Sequence, residues 1–143
     1  MLTEDEYLSH DALGLAGLVA DGQVSPAELL ETAIARAERF DPELNAINIE
    51  MFEIGRRRAS AGPTGPFAGV PFLIKDINQD YAGVISSAGT VPLKGWRATR
   101  TSTVVHRFLD AGLVIFGKTA TPELALKGIT ESQAWGVTRN PWD

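Results

Sequence analysis

An apolar run in this chain closes on a charge: Val70, Pro71, Phe72, Leu73 and Ile74 are followed directly by Lys75 and Asp76. Val, Ile and Phe favour a strand, and the C-terminal edge of the strands is where open α/β sheets gather their chemistry. A lysine partly withdrawn from water there loses part of the stabilisation of its charged form, which suits it to act as a general base. From the residues alone, the stronger reading of Lys75 is structural: a surface lysine whose stem covers apolar neighbours, or the partner of Asp76. A second candidate is the loop Ser86–Thr90 (SSAGT), whose hydroxyls and backbone N–H groups are of a kind that lines pockets, although such loops are common. A third is Gly112–Thr119, which matches the pattern of a phosphate-binding loop, Gly-x-x-x-x-Gly-Lys-Thr. That match fails physically. The four intervening residues are Leu113, Val114, Ile115 and Phe116, a buried strand in the place where a phosphate loop needs exposed N–H groups. Lys118 is therefore read as structural, and nucleotide binding is rejected.

Composition narrows the chemistry further. The 143 residues include no cysteine and only two histidines, His10 and His106. Disulfide scaffolds and cysteine-ligated metal centres are excluded, a histidine-rich metal site is not expected, and no cofactor is implied. Eighteen acids against thirteen bases leave a net charge of -5, which argues against a nucleic-acid surface, Arg56-Arg57-Arg58 being the one basic cluster. The charge is unevenly spread: residues 1–50 hold eleven acids and two bases, residues 51–143 seven acids and eleven bases. The first ten residues are acidic and polar, unlike a signal peptide, and no apolar run approaches the roughly 20 residues of a bilayer span. The expectation is a soluble cytoplasmic protein with no membrane partner.

These residues need elements to position them. Residues 11–20 read as a short helix stopped at Asp21-Gly22. Ser25, Pro26 and Glu28 form a capping box with proline at the first helical position, and the stripe Leu30, Ala33, Ile34, Ala37 carries the helix to about residue 39, where Phe40 and Asp41-Pro42 end it. Residues 45–49 suit either a short strand or a continuation into the next element, residues 50–60 a helical piece, and 61–66, with two glycines and two prolines, a loop. Strand 69–74 follows, then a Gly/Ser/Pro-rich stretch over 82–95 that suits a mostly ordered loop with room for a short strand. Thr101 or Ser102 caps a helix running to about Ala111, stopped by Gly112, and residues 113–116 form a buried strand. Thr121-Pro122 begins a further short helix, and the tail from Gly128 looks irregular. The rhythm is that of an α/β protein with a mainly helical front section, 1–60, and an α/β section, 61–143.

The block GPFAGVPFLIKD, ending at Asp76, resembles the first signature segment of the amidase signature family of serine hydrolases. Residues 112–124 (GLVIFGKTATPEL) resemble that family's next block, and 131–143 (ESQAWGVTRNPWD) the lead-in to its serine-rich core. The front section, with SPAELLETAIARAERFDPELNAI, is similar to the family's N-terminal helices. Within the family the wording is most similar to the branch containing the 6-aminohexanoate cyclic-dimer hydrolases. The resemblance implies an α/β/α fold around a central mixed sheet, with 1–143 forming the N-terminal portion of a single amidase domain. It implies hydrolysis of a carboxylic amide by a Ser–cis-Ser–Lys triad, with Lys75 as the catalytic lysine, Asp76 in a positioning role and an amide as the partner small molecule. It also implies that both triad serines lie beyond Asp143, since Ser86, Ser87 and Ser132 fall in other blocks. On that reading the 143 residues alone are inactive and fold poorly, and they pair with a second copy or with the remainder of the domain. Two alternatives remain: the amidase component of a glutamyl-tRNA amidotransferase, or a non-catalytic binding module.

Overall fold

Residues 2–142 are described by a computed structural model, which runs through five helices and five strands. Helix α1, Glu4–Leu8, opens on a capping box in which Thr3 and Glu6 satisfy each other's backbone N–H groups. Sequence reading did not single out this helix, because a single turn leaves no apolar period to detect. Helix α2, Ala12–Ala20, is capped by the Asp11 carboxylate on the Gly14 N–H and ends before Gly22, whose φ is 68°. Helix α3, Pro26–Leu44, starts with the expected box: Ser25 N–H donates to Glu28 Oε2 at 3.0 Å and Glu28 N–H to Ser25 Oγ at 3.2 Å.

Helix α3 runs past Pro42, five residues beyond the expected end. A proline in the last turn forfeits one hydrogen bond without stopping the chain. The Asp41 carboxylate then accepts from the N–H groups of Ala46 and Ile47 at 2.7 and 2.9 Å, and Asn45, at φ 51°, turns the chain out of the helix.

Strand β1, Ile47–Glu50, leads into helix α4, Phe52–Ser60. Strand β2, Pro71–Lys75, ends on the lysine. Helix α5, Thr103–Asp110, feeds strand β3, Val114–Thr119, which is longer than expected and contains Lys118. Neither expected hydroxyl caps α5: Thr101 Oγ1 accepts from Ala82 N–H, and Ser102 Oγ is buried without a hydrogen-bond partner. The expected short helix after Thr121-Pro122 is a 3-10 turn over Glu123–Ala125. The tail contains a small antiparallel hairpin of β4, Glu131–Ser132, and β5, Gly136–Val137, where an irregular segment was expected.

The main sheet has the order β1-β3-β2. Strand β1 is antiparallel to β3, with Ile47 opposite Thr119 and Ile49 opposite Lys118, so that Asn48 is the extra residue of a bulge. Val114 N–H donates to Val70 O at 2.8 Å, and Asp76 N–H to Thr119 O at 3.1 Å, so both strands advance in the same direction and β2 is parallel to β3. The sheet is therefore mixed, as the amidase signature resemblance implied.

The chain gathers into two compact units of interleaved segments. The first comprises residues 1–38, 51–72 and 107–116. Its core holds Leu15, Val24, Leu29, Val70 and Leu113, with Phe72 against Phe108 at 5.0 Å between ring centroids. Gly112, at φ 95°, leaves α5 so close to the Ala68 backbone that a Cβ would lie 2.7 Å from Ala68 Cα. Arg56 binds Glu31 through Nε and Nη2 and Glu53 through Nη1, while Arg58 donates to Leu109 O, so two of the three clustered arginines are committed within the unit. The second unit, residues 39–50, 73–106 and 117–143, holds Lys75, Ser86–Thr90 and Lys118. Among the described residues no helix is long and apolar enough to cross a membrane.

Candidate active site

Lys75 is half-buried at the end of β2. Its backbone N–H donates to Gln79 Oε1 at 2.7 Å, which pins the chain as it leaves the strand, and its Nζ donates to Ala120 O at 3.1 Å. The amine thus has one carbonyl partner, and among the described residues no carboxylate lies within ion-pair distance of it.

The sequence offered Asp76 as a partner for Lys75, and the structure gives it to Lys118 instead. Both side chains are fully buried, with Lys118 Nζ 3.3 Å from Asp76 Oδ1. The ammonium also donates to Ile85 O at 2.9 Å and Ser86 Oγ at 3.1 Å, giving three acceptors for its three protons. Asp76 is equally well satisfied. Its Oδ1 accepts from Ser87 N–H at 2.9 Å and its Oδ2 from the Ser87 hydroxyl, while its backbone carbonyl accepts from Ala88 N–H at 2.9 Å. The network spreads on both sides. Ser86 Oγ donates to Asp80 Oδ1 at 2.5 Å, and Trp135 Nε1 donates to Ser87 Oγ at 2.7 Å with Lys94 Nζ 4.6 Å from the Trp135 ring centroid. Burial pushes the Lys118 amine below the usual lysine range, and the nearby Asp76 and Asp80 carboxylates push the other way. With every proton accepted, the geometry is that of an ammonium in a buried ion pair, where satisfied hydrogen bonds offset the cost of desolvation.

The pocket-like loop has a structural task. Ser87 Oγ is used by Asp76, Trp135 and Gly89, and Ser132 Oγ accepts from Trp135 N–H at 3.0 Å. Thr90 Oγ1 donates to Glu123 Oε1 at 2.6 Å, and Leu124 N–H to Ala88 O at 2.8 Å. The two facing segments are strained: Ala88, Leu124 and Ala125 have φ of 50°, 52° and 57°. Such strain persists where surrounding contacts over-determine the backbone, and it concentrates at functional sites. Sequence reasoning singled out Lys75 as a candidate and named Asp76 beside it, but missed the Asp76–Lys118 pair and Trp135. The signal for Lys118 was present, since it too follows an apolar run, Leu113–Phe116, one residue later. Among the described residues no three His, Cys, Asp or Glu side chains are grouped to hold a metal ion.

The Amidase family model matches residues 28–143, which takes in both lysines and the network between them. The chain belongs to the amidase family. It is 44% identical over 138 residues to the 6-aminohexanoate-cyclic-dimer hydrolase of Paenarthrobacter ureafaciens, covering 95% of this chain and 28% of that relative. It is 39% identical over 146 residues to a glutamyl-tRNA(Gln) amidotransferase subunit of Salinispora arenicola, covering 96% of this chain and 30% of the relative. Among solved structures, a 6-aminohexanoate cyclic dimer hydrolase complexed with substrate superimposes with a TM-score of 0.90 at 43% identity, over 95% of this chain and 28% of that one. The amidase signature resemblance and the α/β fold read from the sequence both hold. The chain spans less than a third of the length of these relatives.

Proposed function

We propose that this chain forms the lysine-bearing part of an amide hydrolase and that Lys75 is the base of its reaction. The observation that carries the reading is the state of the Lys75 amine: half-buried at a strand end, held by one carbonyl and without an acidic partner among the described residues. In its neutral form such an amine accepts a proton relayed from a serine nucleophile, which attacks the amide carbonyl; the amine or ammonia leaves, and water releases the acyl group. In the family resemblance Ser86, Ser87 and Ser132 fall outside the serine-rich segment, and their hydroxyls are engaged locally, so on this reading the nucleophile and the bridging serine of a Ser–cis-Ser–Lys triad come from another part of the enzyme. On this reading the chain by itself turns over no amide.

Within the family, the similarity to the cyclic-dimer hydrolases favours a small or oligomeric amide as substrate, linear or cyclic. The test is Lys75→Met in an enzyme carrying this sequence, assayed for amine release from 6-aminohexanoate cyclic dimer and from simple amides. General-base loss lowers kcat by about 10²–10⁴-fold. A Lys75→Met enzyme with unchanged kcat would overturn the assignment.

The similarity to an amidotransferase component supports a second reading, in which the released ammonia is passed on rather than lost. Co-purifying partner chains and glutamine-dependent ammonia transfer distinguish it from a stand-alone hydrolase. A specific partner bound with no turnover in either assay would leave the non-catalytic module.

A further inference from the structure

Lys75 and Asp76 are neighbours in sequence, yet the carboxylate is paired with a different lysine on the adjacent strand. Successive side chains at a strand end project to different sides, so Asp76 reaches Lys118 while Lys75 reaches the Ala120 carbonyl. A buried carboxylate one residue from an amine, left uncompensated, would favour the ammonium form of that amine. We propose that Lys118 is a positioning residue for Lys75: its ammonium holds and neutralises the Asp76 carboxylate, so that the Lys75 amine is free of the carboxylate beside it and is left to the Ala120 carbonyl. The pair also fixes the backbone on which Lys75 sits, because Asp76 N–H is bonded to Thr119 O one residue after Lys118.

The other charged groups on the elements around Lys75 leave this pair as the controlling one. Asp80, in the turn after β2, is held by the Ser86 hydroxyl, and Glu123, in the turn after Ala120, by the Thr90 hydroxyl. Glu50, opposite Gly117 on β1, is exposed to solvent, and Lys94 lies over the Trp135 ring. Among these groups only Asp76 and Lys118 combine full burial with opposite charge.

Two neutral substitutions separate this role from a purely structural one, because they act on Lys75 in opposite directions. Lys118→Met leaves Asp76 charged, with both Ser87 donors still in place, and favours the Lys75 ammonium. Asp76→Asn leaves Lys118 charged, still bonded to Ile85 O and Ser86 Oγ, and disfavours it. The double variant removes both charges together. The readout is the rate at which trace acetic anhydride acetylates Lys75 at fixed pH, followed by mass spectrometry, with exposed Lys127 as the internal reference. Screened interaction across the site corresponds to a change of about threefold to tenfold. The expected order is Lys118→Met slower than the parent by that factor, Asp76→Asn faster, and the double variant close to the parent.

Equal rates in all four proteins, or a shift of both single variants in the same direction, would overturn the proposal, the latter being what mere loosening produces. If Lys118→Met does not fold, Asp76→Asn and the double variant decide, since faster labelling must appear in the first and vanish in the second. The inference rests on Lys75 as the base of the proposed reaction. The labelling reads the amine without any turnover, so failure of the hydrolase reading and failure of the pairing remain distinguishable.

Discussion

Ser87 is fully buried, and its hydroxyl serves three neighbours: it donates to Asp76 and accepts from Trp135 Nε1 and Gly89 N–H. Removing it takes a donor from a buried charge and strands two N–H groups. Ser87→Ala is expected to cost about 2–3 kcal/mol, the range for unsatisfied buried groups that include a charge. Trp135→Phe removes one donor and leaves the Ser87–Asp76 bonds intact, with a ring still available to Lys94, so its cost is about 1 kcal/mol. Denaturant midpoints for the two variants test the ranking, and equal costs would contradict the view that the network centres on Asp76. At this scale the candidate site was half legible. Lys75 could be singled out as a candidate because a charge ending an apolar run is visible in one dimension. The partners of Asp76 could not, because they come from Ser87, Lys118 and, through Ser87, Trp135, and only the fold brings those positions together.

At the scale of elements, what was legible is what is local. The Ser25–Glu28 box lies within four residues and formed as expected, as did the stop at Gly112. The Glu28 carboxyl is held below its ordinary value, first by the Ser25 backbone N–H and then by the Ser25 hydroxyl. A carboxylate lowered in the folded state stabilises it fully above the unfolded value, and the contribution is lost as pH falls through the folded one. Glu28→Gln keeps an acceptor at the box and removes this titration. Thermal melts from neutral pH down to about pH 3 are expected to show a stability gap between parent and variant that closes on acidification. A gap that widens instead would mean that the box does not act through the charged carboxylate. Gly112 gives the steeper test. At φ 95°, with the Ala68 and Thr64 backbones 2.7–2.8 Å from where a Cβ would stand, Gly112→Ala is expected to cost about 3 kcal/mol or more in unfolding experiments. What was not legible is sheet pairing. The bulge at Asn48, the parallel match of β2 to β3 and the extension of β3 through Lys118 depend on strands some 40–70 residues apart, and no local rule sets their register. The run of α3 past Pro42 was missed for a related reason, since the Asp41 carboxylate holds the chain beyond the proline in a way that proline rules alone do not foresee.

At the scale of the whole molecule, family membership was legible because three blocks in order carry more information than any one of them, and the Amidase match over residues 28–143 covers all three. Surface chemistry then leads to a prediction about the chain as an object in solution. Large apolar side chains are unusually open after β3: Leu124, Leu126 and Ile129 are 49%, 80% and 61% exposed within six residues, and Trp142 is 91% exposed. Single exposed aliphatics are ordinary on a folded protein, but several within one short segment favour association. A net charge of -5 opposes it only weakly, because the acids are concentrated in the first 50 residues. The 143-residue chain is therefore expected to self-associate as its concentration rises, to an extent that Leu126→Gln with Ile129→Lys reduces. Neither side chain is buried, so the unfolding free energy is expected to change by no more than is typical of surface substitutions, about 0.5 kcal/mol. Sedimentation velocity across a concentration series is the measurement. A monomer at every concentration, or association unaffected by the two substitutions, would show that the segment Leu124–Ile129 is not what drives contact between chains.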